Sequence, residues 1–485
     1  MAGTESQILP QSAIRNPQSA IQNLRSEICV PRLKKFYLWR KISNVKKILV
    51  IGAGRSSSSL VKYLLDNAEA QDWKVTLADR DLALAESKLN GNERGEALLF
   101  EADNHLRRKE LIEECDLVIS MLPASMHMMV AADAIELGKN LITPSYVSPE
   151  MKELNDEARR KGVLLLNEMG VDPGIDHMSA MRVIDEIKSK GGKLIRFESF
   201  TGGLIAPQSD DNPWHYKFTW NPRNVIMAGM GGTAQYIQNH NLKYIPIHKI
   251  FERYKEIEIE GYGVFEGYAN RDSLSYRSVY GLEDVPTIYR GTLRGQGYCK
   301  AWNVFVQLGM TTEDFEVESK NMTWRDFINS YLQYDPELPV EGKIQNYLNL
   351  DQETMDLLKW TGIFDSTKIG VDSATPAALL QLLLEDKWKL KEDDKDMIVM
   401  WHRFDYELDG QEHQVQSSMV AIGEDHTYTA MSNTVGLPMG IAAKMILNGE
   451  MKLTGVQMPI LPEVYEPILD ELTKFDIQFV EKTIH

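Results

Sequence analysis

From Lys47 onward, short unbroken apolar runs alternate with longer segments whose apolar residues fall three or four apart. Ile48-Leu49-Val50-Ile51 has no polar break, the pattern of a strand covered on both faces. Leu60, Val61, Leu64, Leu65 and Ala68 then recur at helical spacing. Residues 74–78 read as a second strand ending in Asp79, and 97–100, 117–122, 141–143 and 163–166 as four more. Helices are expected at 128–137, closed by Gly138, and at 149–161, closed by Gly162. This alternation predicts an α/β doubly wound parallel sheet that binds its ligand at the C-terminal ends of the strands. Segments 120–123, 144–146 and 167–173 fall at that edge. After Leu308 the pattern turns helical and polar, with helices expected at 324–334, 351–360 and 376–387. Thr375 is placed to cap the last of these, which has proline in its first turn. The charge run 391–396 reads as an exposed boundary, and 396–408 and 414–422 alternate like strands.

Composition narrows the class. At 485 residues, the chain has room for roughly three domains. Its 53 basic and 70 acidic side chains give a net charge of −17, which argues against nucleic-acid binding. Cys29, Cys115 and Cys299 are too scattered for a disulfide framework or a zinc site, and we expect no metal. No apolar run reaches the ~18 residues of a membrane helix, and we expect a cytoplasmic protein. The first 45 residues differ from the rest. Between Gln11 and Lys47 nine basic residues accompany a single acid, Glu27, and Gln-Ser-Ala-Ile occurs twice in tandem. Arg-rich, acid-poor composition fits a transit peptide, but we favour a disordered tail or an upstream extension, outside the fold.

The candidate chemistry begins at the first turn. Gly52-Ala53-Gly54 follows the first strand and Arg55-Ser56-Ser57-Ser58 opens the first helix. Gly52 suits the tight turn, and Gly54 lets the backbone approach a pyrophosphate seated on the helix N-terminus. Ser57 replaces the third glycine of the fingerprint, where a small residue still permits helix–strand packing. The acid after strand two is Asp79, 25 residues past Gly54 against a usual spacing of about 20. A carboxylate there accepts from a ribose 2′-hydroxyl and repels a 2′-phosphate, so Asp79 favours NAD over NADP. Arg80 beside it complicates this, being able to pair with a phosphate or cover the adenine. With the strand-end residues Asp103, Ser120, Leu122, Val171 and Asp172, the expected cofactor set is Gly52, Ala53, Gly54, Arg55, Ser56, Asp79 and Arg80.

Several later motifs, in order, carry a family resemblance: Thr143-Pro144-Ser145-Tyr146-Val147-Ser148-Pro149, Met169-Gly170-Val171-Asp172-Pro173-Gly174-Ile175-Asp176-His177, Tyr216-Lys217-Phe218-Thr219-Trp220, Asn270-Arg271-Asp272-Ser273, Arg290-Gly291-Thr292-Leu293-Arg294 and Thr434-Val435-Gly436-Leu437-Pro438. From about Lys46 to the C-terminus the chain resembles the saccharopine dehydrogenases of the L-glutamate-forming type, or saccharopine reductases. The resemblance implies a Rossmann domain at 46–172, with part of 430–455 packing back on it. It also implies a substrate and dimerisation domain of mixed sheet, from 173–307 and 396–485, and a small all-α insertion at 308–395. A homodimer is the implied assembly.

The implied reaction oxidises the secondary amine of saccharopine and hydrolyses the imine to glutamate and aminoadipate semialdehyde. Saccharopine carries three carboxylates, so an acidic protein needs a local cationic pocket, for which bidentate arginine suits best. The resemblance assigns substrate contacts to Ser145, Tyr146, Asp172, Arg271, Thr292 and Arg294. Asp172 and Tyr146 are the catalytic candidates. Asp172 also reads as an N-cap for a helix from Met178, and the ordinary tyrosine pKa near 10 argues against Tyr146 as a base. His127 reads as a hydrogen-bonded structural histidine. Two rival readings are a carboxynorspermidine synthase-like reductase, whose cationic substrate calls for acids where Arg271 and Arg294 stand, and a nucleotide-sensing protein without chemistry.

Overall fold

The computed structural model describes residues 45–270 and 272–484. The expectations for the N-terminal extension and for Arg271 therefore lie outside the described residues. The first six strands are β1 (Lys46–Ile51), β2 (Trp73–Asp79), β3 (Gly95–Leu99), β4 (Leu117–Ser120), β5 (Asn140–Ile142) and β6 (Leu164–Leu166). All pair in parallel. In β1, Ile48 and Val50 enter one core while Leu49 and Ile51 enter another on the opposite face. An unbroken apolar run is what such a doubly covered strand requires. The helix Ser58–Ala68 follows the glycine turn, and His127–Leu137 ends on Gly138 in the left-handed region at φ 69°. The single helix expected at 149–161 is two, Pro149–Glu153 and Asn155–Lys161.

The second sheet is mixed and begins with β7 (Lys193–Ile205), which is preceded by the helix Ile175–Ser189. Gly174, not Asp172, caps that helix, and Asp176 Oδ1 accepts from the Gly174 amide at 2.6 Å. Asp172 stands before the first turn, so its carboxylate is available for contacts elsewhere. Strands β8 (Ala234–Gln238), β9 (Asn241–Ile245), β10 (Lys255–Ile259), β11 (Gly263–Ala269) and β12 (Thr287–Arg294) follow. The segment expected to be all-α contains the helices Trp324–Asn329, Val340–Leu348, Gln352–Thr361 and Pro376–Glu385. It is not purely helical: β13 (Val317–Glu318) and β14 (Ser373–Ala374) pair across it. Thr375 caps the last helix, accepting from the Ala378 amide at 3.3 Å. Strands β15 (Asp396–Leu408) and β16 (Gln411–Ile422) return to the second sheet, β17 (Gly455–Gln457) joins the first, and β18 (Val480–Ile484) pairs with β16.

The first sheet runs β17-β6-β5-β4-β1-β2-β3, so strand order reverses between β1 and β4. The second runs β10-β11-β12-β7-β15-β16-β18, with β12 beside β7 in parallel and β8 and β9 at its flank. One core is continuous between them: Ile48 and Leu77 share it with Ile184 from the helix Ile175–Ser189, Phe197, Met400 and Ile441. The helix Ala430–Leu447 packs directly on Ser58–Ala68. Gly436 lacks a Cβ that would stand 2.6 Å from the Leu60 nitrogen, so the two backbones meet there. Ser59 adds a polar clasp: its amide donates to Ser432 Oγ at 3.0 Å and its hydroxyl donates to Asn433 Oδ1 at 2.6 Å. No helix among the described residues is long and apolar enough to cross a membrane.

Candidate active site

The nucleotide half forms at the β1 turn. Gly52 has φ +107°, and a Cβ on it would meet the Met121 carbonyl oxygen at 2.9 Å, so both conformation and space call for glycine. Around Gly54 there is open space where a Cβ would stand. Ser57 fills the third fingerprint position fully buried, its hydroxyl donating to the Gly54 carbonyl at 2.9 Å. Ala53, Arg55 and Ser58 line a cavity of about 880 Å³ together with Phe218, Thr219 and the segment 426–429. This shape suits a dinucleotide: a glycine turn and helix N-terminus on one wall, room for an extended ligand beside them.

Asp79 has a structural task at the turn. Its Oδ2 accepts from the Ala53 amide at 2.6 Å and its Oδ1 from the Asp81 amide at 2.8 Å. The carboxylate clamps the glycine turn to the end of β2. Arg80 and Asp103 are exposed and do not line the cavity. Ser120 is buried and belongs to a histidine network: His127 Nδ1 lies 2.9 Å from Ser120 Oγ, and its Nε2 lies 2.8 Å from Ser145 Oγ and 3.0 Å from Thr143 Oγ1. Burial lowers His127 to about 4, so the ring is neutral and ties the ends of β4 and β5 together. Leu122 and Val171 stand at the same sheet edge.

The reactive half centres on an arginine that sequence reasoning did not select. Arg290 is buried in β12 and its Nη2 donates to Asp172 Oδ1 at 2.9 Å and to Asp176 Oδ2 at 2.6 Å. Its guanidinium stacks on Tyr276 at 4.1 Å. The Tyr146 hydroxyl donates to Asp172 Oδ1 at 3.2 Å, although 48% of that residue remains open to solvent. Burial, and then the Asp172 charge, push the Tyr146 hydroxyl well above the ordinary tyrosine value, which makes it a donor at neutral pH. Burial, and then repulsion by Asp176, raise the Asp172 carboxyl, with Arg290 opposing both. Behind them His177 bridges the Tyr280 hydroxyl at 2.5 Å and Glu168 Oε2 at 2.7 Å, and Glu168 Oε1 accepts from the Val147 amide at 2.9 Å. The loop that presents Tyr146 is thus anchored to the helix that follows Asp172. Strand alternation is the signal that would have found Arg290: residues 290, 292 and 294 share one face of β12.

Arg294 is 5% exposed and lies within cation–π range of Tyr216 at 5.2 Å, Tyr268 at 5.9 Å and Tyr298 at 5.4 Å. Its Nη1 donates to the Leu293 carbonyl at 2.8 Å, the Tyr298 hydroxyl is a further hydrogen-bond partner, and its buried Nε has no partner. No carboxylate lies in ion-pair range among the described residues. Thr292 faces Thr201 across the β12–β7 pairing, and Thr201 Oγ1 and Thr219 Oγ1 are also buried without partners. A buried guanidinium without an anion, near unpartnered hydroxyls, has the chemistry to receive an anionic ligand.

The site can be set beside known proteins. The description Saccharopine dehydrogenase NADP binding domain matches residues 48–166, and Saccharopine dehydrogenase C-terminal domain matches 170–477. The Saccharomyces cerevisiae protein named saccharopine dehydrogenase [NADP(+), L-glutamate-forming] is 32% identical over 451 residues, covering 90% of this chain and 99% of its own. The Schizosaccharomyces pombe protein of the same name is 31% identical over 449 residues, covering 90% and 99%. The solved apo saccharopine dehydrogenase (L-Glu forming) from Saccharomyces cerevisiae superposes with a TM-score of 0.83 at 31% identity, covering 91% of this chain and all of that one. These findings overturn the expected preference for NAD, since both the matching domain description and the relatives' names specify NADP. At Asp79 the carboxylate is engaged by two backbone amides of the turn, so its presence after β2 has a structural cause and does not by itself select an unphosphorylated ribose. On the strength of both domain matches and the full-length relatives, this chain belongs to the saccharopine dehydrogenase family.

Proposed function

We propose that this protein oxidises saccharopine with NADP, giving L-glutamate and 2-aminoadipate 6-semialdehyde. The observation that carries the reading is the pairing of two arginines on one face of β12: Arg290 neutralised by Asp172 and Asp176, Arg294 left without an acid. The first holds a carboxylate in place, and the second waits for one. Bound NADP would supply the hydride acceptor, held by the Gly52–Gly54 turn and the N-terminus of the helix Ser58–Ala68.

Arg294 and Thr292 would hold a substrate carboxylate, with Ser145 and Arg271 as further contacts. Asp172 Oδ1 is occupied by Tyr146 and Arg290, which leaves Oδ2 to accept from the substrate's secondary amine. That bond orients the nitrogen and stabilises its cationic form, and its proton passes to water when the amine is to react. Loss of hydride from the lysyl ε-carbon leaves that carbon doubly bonded to the nitrogen, which stays with the glutamate half. Water adds across it, and C–N cleavage releases glutamate and the semialdehyde. Tyr146, kept protonated, donates and does not act as base. The carboxy-polyamine alternative is disfavoured by Arg294, whose charge opposes a polycationic substrate.

The test supplies saccharopine with NADP and follows the reduced-nicotinamide absorbance, with glutamate measured as product. Turnover yielding glutamate is expected, and no turnover would sink the reading. We further propose a homodimer, for which light scattering should give twice the 55.2 kDa chain mass.

A further inference from the structure

Lys88 is the residue of the nucleotide cavity that neither the fingerprint nor the reaction explains. It sits in the last turn of the helix Leu82–Leu89, directly after β2, and lines the cavity with Ser87, Arg55 and Ser58. Its Nζ donates to the Gly54 carbonyl at 2.8 Å and to Ser58 Oγ at 2.6 Å. Three other half-buried or buried lysines of the fold are neutralised by carboxylates: Lys217 by Asp211 and Asp394, Lys255 by Glu198, Lys444 by Glu471. Lys88 has no carboxylate in ion-pair range among the described residues. Asp79, the acid whose field reaches it, is tied to the amides of Ala53 and Asp81. Burial brings the ammonium down to about 8, as expected of a cation held without a bound anion.

Its place decides which anion it serves. In a doubly wound sheet the pyrophosphate lies over the first turn and the adenosine ribose at the end of strand two. Lys88 reaches the turn from the β2 side, opposite to Asp172 and Tyr146, which follow β6 and β5. We propose that Lys88 is a cofactor-specificity residue: its ammonium, reaching across from the helix after β2 to the Gly54–Ser58 wall, pairs with the 2′-phosphate of the adenosine ribose. This rests on the reading of NADP as cofactor. It also offers an electrostatic answer to Asp79. A fixed acid at the end of β2 disfavours a phosphate dianion, and a lysine on the neighbouring helix supplies the opposing charge.

Binding rather than turnover tests it. Dissociation constants for NADPH and NADH are measured by nucleotide fluorescence on the full chain and on Lys88→Met and Lys88→Arg, with 2′,5′-ADP and 5′-AMP as competitors. A charge-assisted hydrogen bond of about 1.5–3 kcal/mol corresponds to a roughly 10- to 150-fold loss. Lys88→Met should therefore weaken NADPH and 2′,5′-ADP at least about tenfold while leaving NADH and 5′-AMP within about twofold. Lys88→Arg should restore most of the difference. Equal weakening of both dinucleotides would place Lys88 on the pyrophosphate and overturn the proposal, as would unchanged NADPH affinity in a folded Lys88→Met. A wild-type chain that binds no NADPH would remove the cofactor reading itself, a separate result.

Discussion

Arg290 has a role that its strand alone does not reveal. It stands between two carboxylates, and removing a shared cation leaves both buried and facing each other, which costs about 3–5 kcal/mol. Arg290→Met should therefore lower unfolding free energy by that order in urea titrations and reduce saccharopine kcat/KM at least about tenfold. Arg294 has no acid to abandon. Arg294→Ala should raise KM for saccharopine about tenfold or more while leaving NADPH affinity within about twofold, because a charge-assisted bond to substrate is lost. Equal loss of both affinities would show that Arg294 does not belong to the substrate half.

Two buried histidines set a pH dependence. Burial lowers His127 to about 4, and burial with the Arg290 charge lowers His402 to about 3. An unfolded histidine takes up its proton as pH falls through about 6.5, while these two stay neutral. Across that window the unfolded chain binds more protons, so their contribution is complete above pH 6.5 and is lost as pH falls toward 4. For each, the loss approaches about 3 kcal/mol at pH 4. His402→Gln should flatten the fall in urea midpoint between pH 6.5 and 4.5, and an unchanged slope would exclude His402 as a contributor.

At the scale of elements, the helix Ala430–Leu447 determines how firmly the dinucleotide turn is held. Gly436 and Gly440 let it approach Leu60 and Tyr63 so closely that added Cβ atoms would stand 2.6 and 2.5 Å from them. Gly436→Ala must push the helix Ser58–Ala68 away, at a cost of about 1–3 kcal/mol. Because that helix carries the N-terminus under the glycine turn, NADPH affinity should fall along with the melting temperature. A melting temperature lowered with NADPH affinity intact would show that the turn holds its shape without this support. The elements themselves were largely readable. β1, the Gly52–Gly54 turn and the helix beyond it depend on residues within a few positions of one another. The break at Leu154 and the start of the next helix at Ile175 were missed, because both depend on how the chain packs at a sheet edge.

At the scale of the whole molecule, the two sheets share a core, and residues 46–485 form one compact unit. The first sheet is completed by β17, nearly three hundred positions after β6 in the chain, and roofed by Ala430–Leu447. A fragment comprising residues 46–172 should therefore lack near-ultraviolet ellipticity and bind no NADPH, whereas a cooperative, NADPH-binding fragment would mean that the return segment is dispensable. The charge of −17 acts at this scale too. It disfavours broad attraction of anions, so recognition of a tricarboxylate or a phosphate has to be local, which is the part proposed for Arg294 and Lys88.

The sequence by itself determined the layered α/β architecture and the nucleotide turn, because apolar periodicity and glycine placement act between near neighbours, while the anionic class of the substrate came from the family resemblance. The tertiary structure decided the roles of individual groups. Asp79, read from the sequence as a ribose acceptor, proved to clamp the glycine turn through two backbone amides. Arg290 acquired meaning from Asp176 and Asp172, which lie 114 and 118 positions away. Charge pairing falls off over a few ångströms of space, and no spacing along the chain records which distant side chains folding brings within that reach.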